Sequence, residues 1–277
     1  MIFLRNHVTL NGVIFMSELF SRTVSSDTVS FKHAKGVSDR SGKEFHLFHE
    51  IILFLGGQAE LISETVHTVL RPQTLIVIPK ETYHQLVITG DPSQYYRCVF
   101  QFSETAPIAP LIETGMQELF ITESDKATAY LFSKMMQLTK DSDPQSAQPI
   151  TEAVLCLLLD EIHARKGTTV EKDLTDDLTR QAIDYISEHL TTPLQIKTIA
   201  RHLSVSPSTL MHTFKQNMNI SIHKYIIKKR LILAHAKISG GEPAIAAAAE
   251  CGFGDYSGFY KQYKAMFDTT PSSHTRA

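Results

Sequence analysis

LQIKTIARHLSVSPSTLMHTFKQ, residues 194–216, decides how the C-terminal part of this chain folds. Leu194, Ile199, Ala200 and Leu203 define one face of a short helix. Ser204-Val205 interrupts it. Ser206-Pro207 then opens a second helix, with a capping hydroxyl followed by proline at the first helical position. Leu210 and Phe214, four apart, give that helix a buried stripe. Two steeply crossing helices need a small residue at their closest approach, here Ala200, and an apolar residue to anchor the corner, here Val205. This is the constellation of a helix-turn-helix, whose second helix can enter the major groove of DNA.

The pattern recurs in AAAAECGFGDYSGFYKQYK, residues 246–264. Ala248 stands for Ala200, Cys251 for Leu203, Phe253 for Val205, Phe259 for Leu210, and Tyr263-Lys264 for Phe214-Lys215. Gly252 suits a left-handed turn that a side chain resists. The second copy is one residue longer between its Ala and its Leu/Phe position. One copy alone reads as an ordinary helical hairpin, but an internal repeat is far more specific. Residues 222–238 form a helix between the copies, in which Ile222, Tyr225, Ile226, Leu233 and Ala234 can brace both halves.

Working outward, the stretch GTTVEKDLTD (167–176) lacks an apolar face and reads as an interdomain linker. The chain carries 27 Lys+Arg and 29 Asp+Glu; 12 of the former and 8 of the latter fall from Asp176 onward. An acidic front and a basic back suit a regulatory domain attached to a polyanion-binding one. At 277 residues, 43% hydrophobic and 20% charged, the chain accommodates two globular domains. No apolar run reaches the roughly 18 residues of a membrane span. The first twenty residues lack the features of a secretory signal, and Met16 offers an alternative start. Cys98, Cys156 and Cys251 have no close spacing, which argues against a disulfide framework or CxxC metal site and for reduced thiols in a cytoplasmic protein.

The segment from Ala182 to Pro271 resembles the AraC/XylS-type transcriptional regulators. The resemblance rests on AIDYISEHLTTPL, IARHLSVSPSTL, FK followed by KYIIKKRLILAHAKI, then CGF, Phe267 and Thr270-Pro271. Asn219 and Asp268 replace the usual glycines after each FK-type helix, and both tolerate left-handed geometry better than most residues. Ala247 replaces a larger aliphatic, Gly258 an aromatic, and His212 a frequent arginine. The resemblance implies a sequence-specific DNA-binding transcriptional regulator, an activator responsive to a ligand, and not an enzyme. It implies base contacts by Ser208, Met211 and His212 in the first recognition helix and by Tyr256, Ser257, Tyr260 and Lys261 in the second. Each of these positions is equally compatible with a plain solvent-facing role. Lys215, Lys264, Lys228, Lys229 and Arg230 are read as phosphate contacts, which position without specifying sequence. The implied partners are promoter double-stranded DNA, a small-molecule effector, RNA polymerase and a second copy in a homodimer, without a membrane.

The front half reads differently. EFHLFHEIILFL, TLIVIP and YYRCVFQF within residues 44–102 are short apolar runs separated by Gly56-Gly57, Pro72, Pro79 and Thr89-Gly90-Asp91-Pro92, which indicates a sandwich or jelly-roll barrel. His46, Phe48, Glu50, Ile52 and Phe54 share strand parity, and His84 follows the next Pro-marked strand end. This resembles the cupin-like effector domain that often precedes an AraC-type region. His46, Glu50, His84 and Arg97 are therefore expected to contact an organic effector. His46, Glu50 and His84 also match three of the metal ligands of cupin enzymes, but the sequence alone favours a pocket without metal, and no cofactor is expected. Residues 115–140 and 150–166 read as helices, with Val154, Leu157, Leu158 and Ile162 as one apolar set and DSDPQSAQP between them as loop. Their apolar faces suit packing between subunits or against their own barrel.

The expected architecture is α+β in two domains. Residues 1–166 form a cupin-like β-barrel with flanking dimerisation helices, 167–176 the linker, and 177–277 an all-α domain with two helix-turn-helix motifs. The readings set against it are a metal-dependent cupin enzyme with an accessory helical domain, and an architectural DNA binder without effector.

Overall fold

A computed structural model describes residues 20–26, 28–36, 45–104, 108–116, 118–141, 144–164 and 176–274. The chain divides into two compact units, Met1–Leu174 and Thr175–Ala277. The alternative start at Met16 and all but Asp176 of the expected linker lie outside the described residues.

The N-terminal unit is built on a six-stranded antiparallel sheet of β1 (Phe20–Ser25), β2 (Val29–Lys35), β8 (Tyr96–Phe102), β3 (His49–Gly56), β6 (Thr74–Ile78) and β9 (Phe120–Glu123), in that spatial order. A second sheet has the order β5 (His67–Val69), β4 (Ala59–Ser63), β7 (His84–Ile88). Among the described residues the two sheets do not join at their edges, so the closed barrel expected from the strand pattern is replaced by a pair of separate sheets.

The continuous apolar runs of β3 and β6 follow from covering both faces of the large sheet. Ile51, Leu53, Leu75, Val77, Cys98 and Phe100 point to one side and pack with α1 (Ala109–Gly115), α2 (Lys126–Asp141) and α3 (Pro144–Ala164). Ile52, Phe54, Ile76, Ile78 and Val99 point to the other and meet Ala59, Leu61, Leu86 and Ile88 of the small sheet. Register keeps each set in line: Ile52 lies opposite Ile76 on one side and Val99 on the other. Gly57 ends β3 with φ +94°, and a Cβ there would come 2.8 Å from the Gln94 carbonyl oxygen.

Two expectations need correction here. Residues 115–140 are not one helix. Phe120 and Ile121 pair with Val77 and Ile76 at the sheet edge, and Leu119 and Ile121 enter the layer between the sheets, so tertiary pairing overrides helical spacing. DSDPQSAQP is also not all loop: α3 begins at Pro144, where a missing N–H costs nothing, and continues through Pro149. Buried Ala147 and Thr151 hold this turn, with Thr151 Oγ1 donating to the Ala147 carbonyl at 2.8 Å. Val154, Leu158 and Ile162 bury against the unit's own sheet, whereas Leu157, 57% exposed, faces away from it. Strands β1 and β2 had no counterpart in the sequence reading.

The C-terminal unit is helical among its described residues. Asp176 caps α4 (Asp177–Glu188) by accepting from the Thr179 N–H. Then come α5 (Ile196–His202), α6 (Pro207–Met218), α7 (Ile222–Ser239), α8 (Ala244–Glu250) and α9 (Tyr256–Phe267). The α7 helix buries Tyr225 against Phe214 of the first copy, while Leu231, Ala234 and Ile238 pack with Ala248, Phe259 and Tyr263 of the second. Buried Leu231 and Ile232 join this bracing set, and half-buried Leu233 packs against the core of the second motif.

Candidate DNA interface and buried polar cluster

The sequence repeat is a repeat of hydrogen bonds. In the α5–α6 corner the Val205 N–H donates to the Ala200 carbonyl at 3.0 Å; in the α8–α9 corner the Phe253 N–H donates to the Ala248 carbonyl at 3.0 Å. Ser204 and Gly252, just before the two donors, both have positive φ, +56° and +80°. The second helices are capped alike, Ser206 accepting from the Thr209 N–H and Asp255 from the Gly258 N–H. They end alike too, on Asn219 and Asp268 in left-handed conformation. The extra residue of the second copy is Gly254, between the corner residue and the cap, so it lengthens the turn and leaves both helices whole.

Each second helix has one face committed to its core. Leu210, Phe214 and Met218 are buried in α6, and Phe259 and Tyr263 in α9. Ser208, Met211, His212 and Lys215 are exposed on α6; Tyr256, Ser257, Lys261 and Lys264 are exposed on α9, with Tyr260 half-buried beside them. Their spacing puts each set on one stripe away from the buried residues. Lys215 Nζ donates to the Asn219 carbonyl at 2.7 Å, a contact it must leave to reach a phosphate.

Arg230 does not fit the phosphate-contact reading. Its Nε donates to the Leu190 carbonyl at 2.8 Å, and its terminal nitrogens donate to the carbonyls of Gly252 at 2.8 Å and Thr192 at 2.6 Å. It brackets the segment after α4 to the corner of the second motif. Lys228 and Lys229 are half-buried on α7.

In the N-terminal unit, His46, Glu50 and His84 converge in the buried layer between the sheets. His46 precedes β3 rather than lying within it, Glu50 is the second residue of β3, and His84 opens β7. Glu50 Oε2 lies 3.2 Å from Nε2 of both histidines, and Gln101 Nε2 donates to Oε1. The other imidazole nitrogens face backbone carbonyls: His46 Nδ1 is 2.7 Å from Phe48 O, and His84 Nδ1 is 3.1 Å from Thr82 O. Burial works to raise the Glu50 pKa, but hydrogen bonds and charge from His46 and His84 outweigh it and hold the carboxyl below the usual carboxylate range. His49 points away, beside Glu104 and stacked on Phe102. Arg97 is buried over the Tyr95 ring, with one terminal nitrogen lacking a hydrogen-bond partner. The sequence reading missed Gln101, although it shares strand parity with Arg97.

A family profile described as "Helix-turn-helix domain" matches residues 199–277, which take in both corners and both second helices. The arabinose operon regulatory protein of Salmonella typhimurium is 25% identical over 228 residues, covering 79% of this chain and 80% of that protein. LumQ of Photobacterium leiognathi, a probable transcriptional regulator, is 24% identical over 233 residues, or 83% of this chain and 90% of its own length. The xylose operon regulatory protein of Haemophilus influenzae is 31% identical over 111 residues, covering 40% of this chain and 28% of that protein. The chain is similar to AraC/XylS-type transcriptional regulators.

Similarity to these regulators agrees with the duplicated corner. Hydroxyls of Ser208, Tyr256, Ser257 and Tyr260 can donate to or accept from base edges, and Met211 offers an apolar surface to a thymine methyl. No helix among the described residues is long and apolar enough to cross a membrane.

Proposed function

We propose that this chain is an AraC/XylS-type regulator that binds a promoter site by placing α6 and α9 in successive major grooves of one duplex, about 34 Å apart. The observation that carries the proposal is the repeated corner bond, Val205 to Ala200 and Phe253 to Ala248, which sets both second helices on their supports in the same way. Ser208, Met211 and His212 read one half-site; Tyr256, Ser257, Tyr260 and Lys261 read the other. Lys215 and Lys264 contact phosphates, with Lys228 and Lys229 nearer the backbone.

The N-terminal unit, residues 1–166, serves as the effector sensor in this reading, joined through residues 167–176 to the DNA-binding unit. Its candidate polar contacts are His46, Glu50, His84 and Arg97. The arabinose and xylose relatives are named for sugar operons, which supports a small organic effector. The exposed side of α3 at Leu157 pairs two copies, and the DNA-bound dimer activates transcription by engaging RNA polymerase in the cytoplasm.

The test is selection of DNA bound by the full chain from a random library, with and without candidate metabolites. The expected site is asymmetric within one monomer footprint, with two unlike halves one helical turn apart, and its affinity falls steeply with salt. A palindrome read by one monomer, or binding without sequence preference, overturns the proposal.

A further inference from the structure

Arg97 brings a full positive charge into the N-terminal unit and finds no anion there. It is only 9% exposed, and its Nη1 meets neither solvent nor a hydrogen-bond partner. Among the described residues no carboxylate pairs with the guanidinium, which rests over the Tyr95 ring at 4.7 Å. That ring eases the burial of the charge but leaves the planar fork of N–H donors unmet.

Register shows which side the charge is on. Arg97 lies opposite Ala34 of β2 and Phe54 of β3, and it shares strand parity with Tyr95 and Val99. Phe54, Tyr95 and Val99 belong to the core between the two sheets, so Arg97 serves that layer and not the helix-packed side. Lys32, opposite Val99, puts a second cation on the same face. The small sheet adds Ala59, Leu61, Leu86 and Ile88, all apolar. Glu50, the buried acid of the layer, is committed to His46, His84 and Gln101. Gln101 and Arg97 are four residues apart on β8, a rise of roughly 13 Å, so the guanidinium stands apart from that cluster.

We propose that Arg97 anchors an effector made of one carboxylate on an apolar body, with the body held between the sheets. A buried charge is stable only with a counter-charge, and a carboxylate fills an arginine fork through two parallel hydrogen bonds. A neutral polyol leaves the cation unanswered. A phosphate ester carries extra negative charge into an apolar layer. A monocarboxylate balances Arg97 one for one and leaves the rest of its surface to the apolar side chains. The proposal deepens the sensor reading above: control of DNA binding rests on that reading, whereas the anion site rests on the buried guanidinium alone.

The experiment titrates the full chain calorimetrically with hexanoate, octanoate and phenylacetate, and with the amide of each as its neutral counterpart. At least one acid should bind at one site per chain, raise the thermal midpoint, and exceed its amide by about 10-fold or more. Arg97→Gln should bring acid and amide to equal affinity. Arg97→Lys, which keeps the charge without the fork, should lose about 10-fold for the acid yet still prefer it to the amide. Arg97→Leu tests the site without ligand: deleting an unanswered charge should raise the ligand-free midpoint, whereas deleting a merely structural arginine lowers it. Acids no tighter than their amides, undiminished discrimination in Arg97→Gln, or a lowered midpoint in Arg97→Leu, failure to fold included, each overturn the proposal. Affinity for the selected DNA separates the two readings. Arg97-dependent acid binding that leaves DNA affinity unchanged supports the anion site and counts against the sensor. A DNA response to a neutral metabolite, with no acid bound, keeps the sensor and overturns the anion site.

Discussion

Arg230 donates to the Gly252 carbonyl at 2.8 Å, and a Cβ on Gly252 would lie 2.9 Å from the guanidinium carbon. The glycine is thus required twice, by its φ of +80° and by the side chain seated against it. Gly252→Ala should cost about 1–2 kcal/mol from the left-handed backbone alone, with more from displacement of Arg230. Arg230→Lys should also destabilise, because one ammonium cannot span the carbonyls of Leu190, Thr192 and Gly252. Urea unfolding of the full chain measures both. A normal midpoint for Arg230→Lys together with a reduced salt slope on DNA would return Arg230 to the phosphate contacts.

Lys261 and Lys264 lie three residues apart on α9, both exposed, but the roles assigned to them differ. Lys261→Ala should relax base preference in the half-site read by the second motif, at about 1–3 kcal/mol for the preferred base. Lys264→Ala should weaken all sequences to the same extent and lower the salt slope by about one. A panel of single-base substitutions separates the two patterns. Uniform weakening by Lys261→Ala makes it a phosphate contact.

Leu157 and Leu158 are adjacent, yet one is 57% exposed and the other fully buried. Leu158→Glu should prevent folding of the N-terminal unit, since a carboxylate among Leu155, Leu159 and the sheet has no counter-charge. Leu157→Glu should leave circular dichroism and thermal midpoint near wild type while halving the mass measured by sedimentation. An unchanged dimer mass removes α3 from the interface.

Thiol reactivity should follow burial. Burial pushes the Cys98 thiol up to about 12 and the Cys251 thiol up to about 11, and neither side chain is exposed. Half-buried Cys156 is the accessible member. At pH 8 an aromatic disulfide reagent should therefore modify one thiol in the native chain and all three in denaturant. Rapid native modification of two would mean that the core around Cys98 or Cys251 opens.

The duplicated motif was legible because its determinants are local. Ala200, Val205 and the Ser206-Pro207 start sit within eight residues, and the second copy repeats the Ala-to-corner spacing from Ala248 to Phe253, with one added residue before its cap. The N-terminal strands were read where both sheet faces are apolar, as in β3 and β6. They were missed where polar residues alternate, as in FSRTVS and VSFKHAK of β1 and β2. Phe120 and Ile121 fit helical spacing in the sequence, and only their pairing with β6, more than forty residues earlier, makes them a strand. The carbonyl partners of Arg230 are hidden for the same reason, standing 22, 38 and 40 residues away. The cluster residues were visible as types, but the direction of each imidazole nitrogen depends on Phe48 and Thr82 carbonyls that no pattern reveals.

The centre of the large sheet, at β3 and β6, has no wet face. A strand with one wet face tolerates exchange at every second position, and a randomised library records that tolerance as a two-residue rhythm. Along Ile51–Phe54 the rhythm should vanish, because successive side chains enter different cores of equal dryness. Trimming the chain at β4, β5 and β7 would not yield a smaller sensor: it would uncover Ile52, Phe54, Ile76 and Ile78 as a flat adhesive panel. The small sheet is thus what keeps this half of the regulator from sticking to its neighbours.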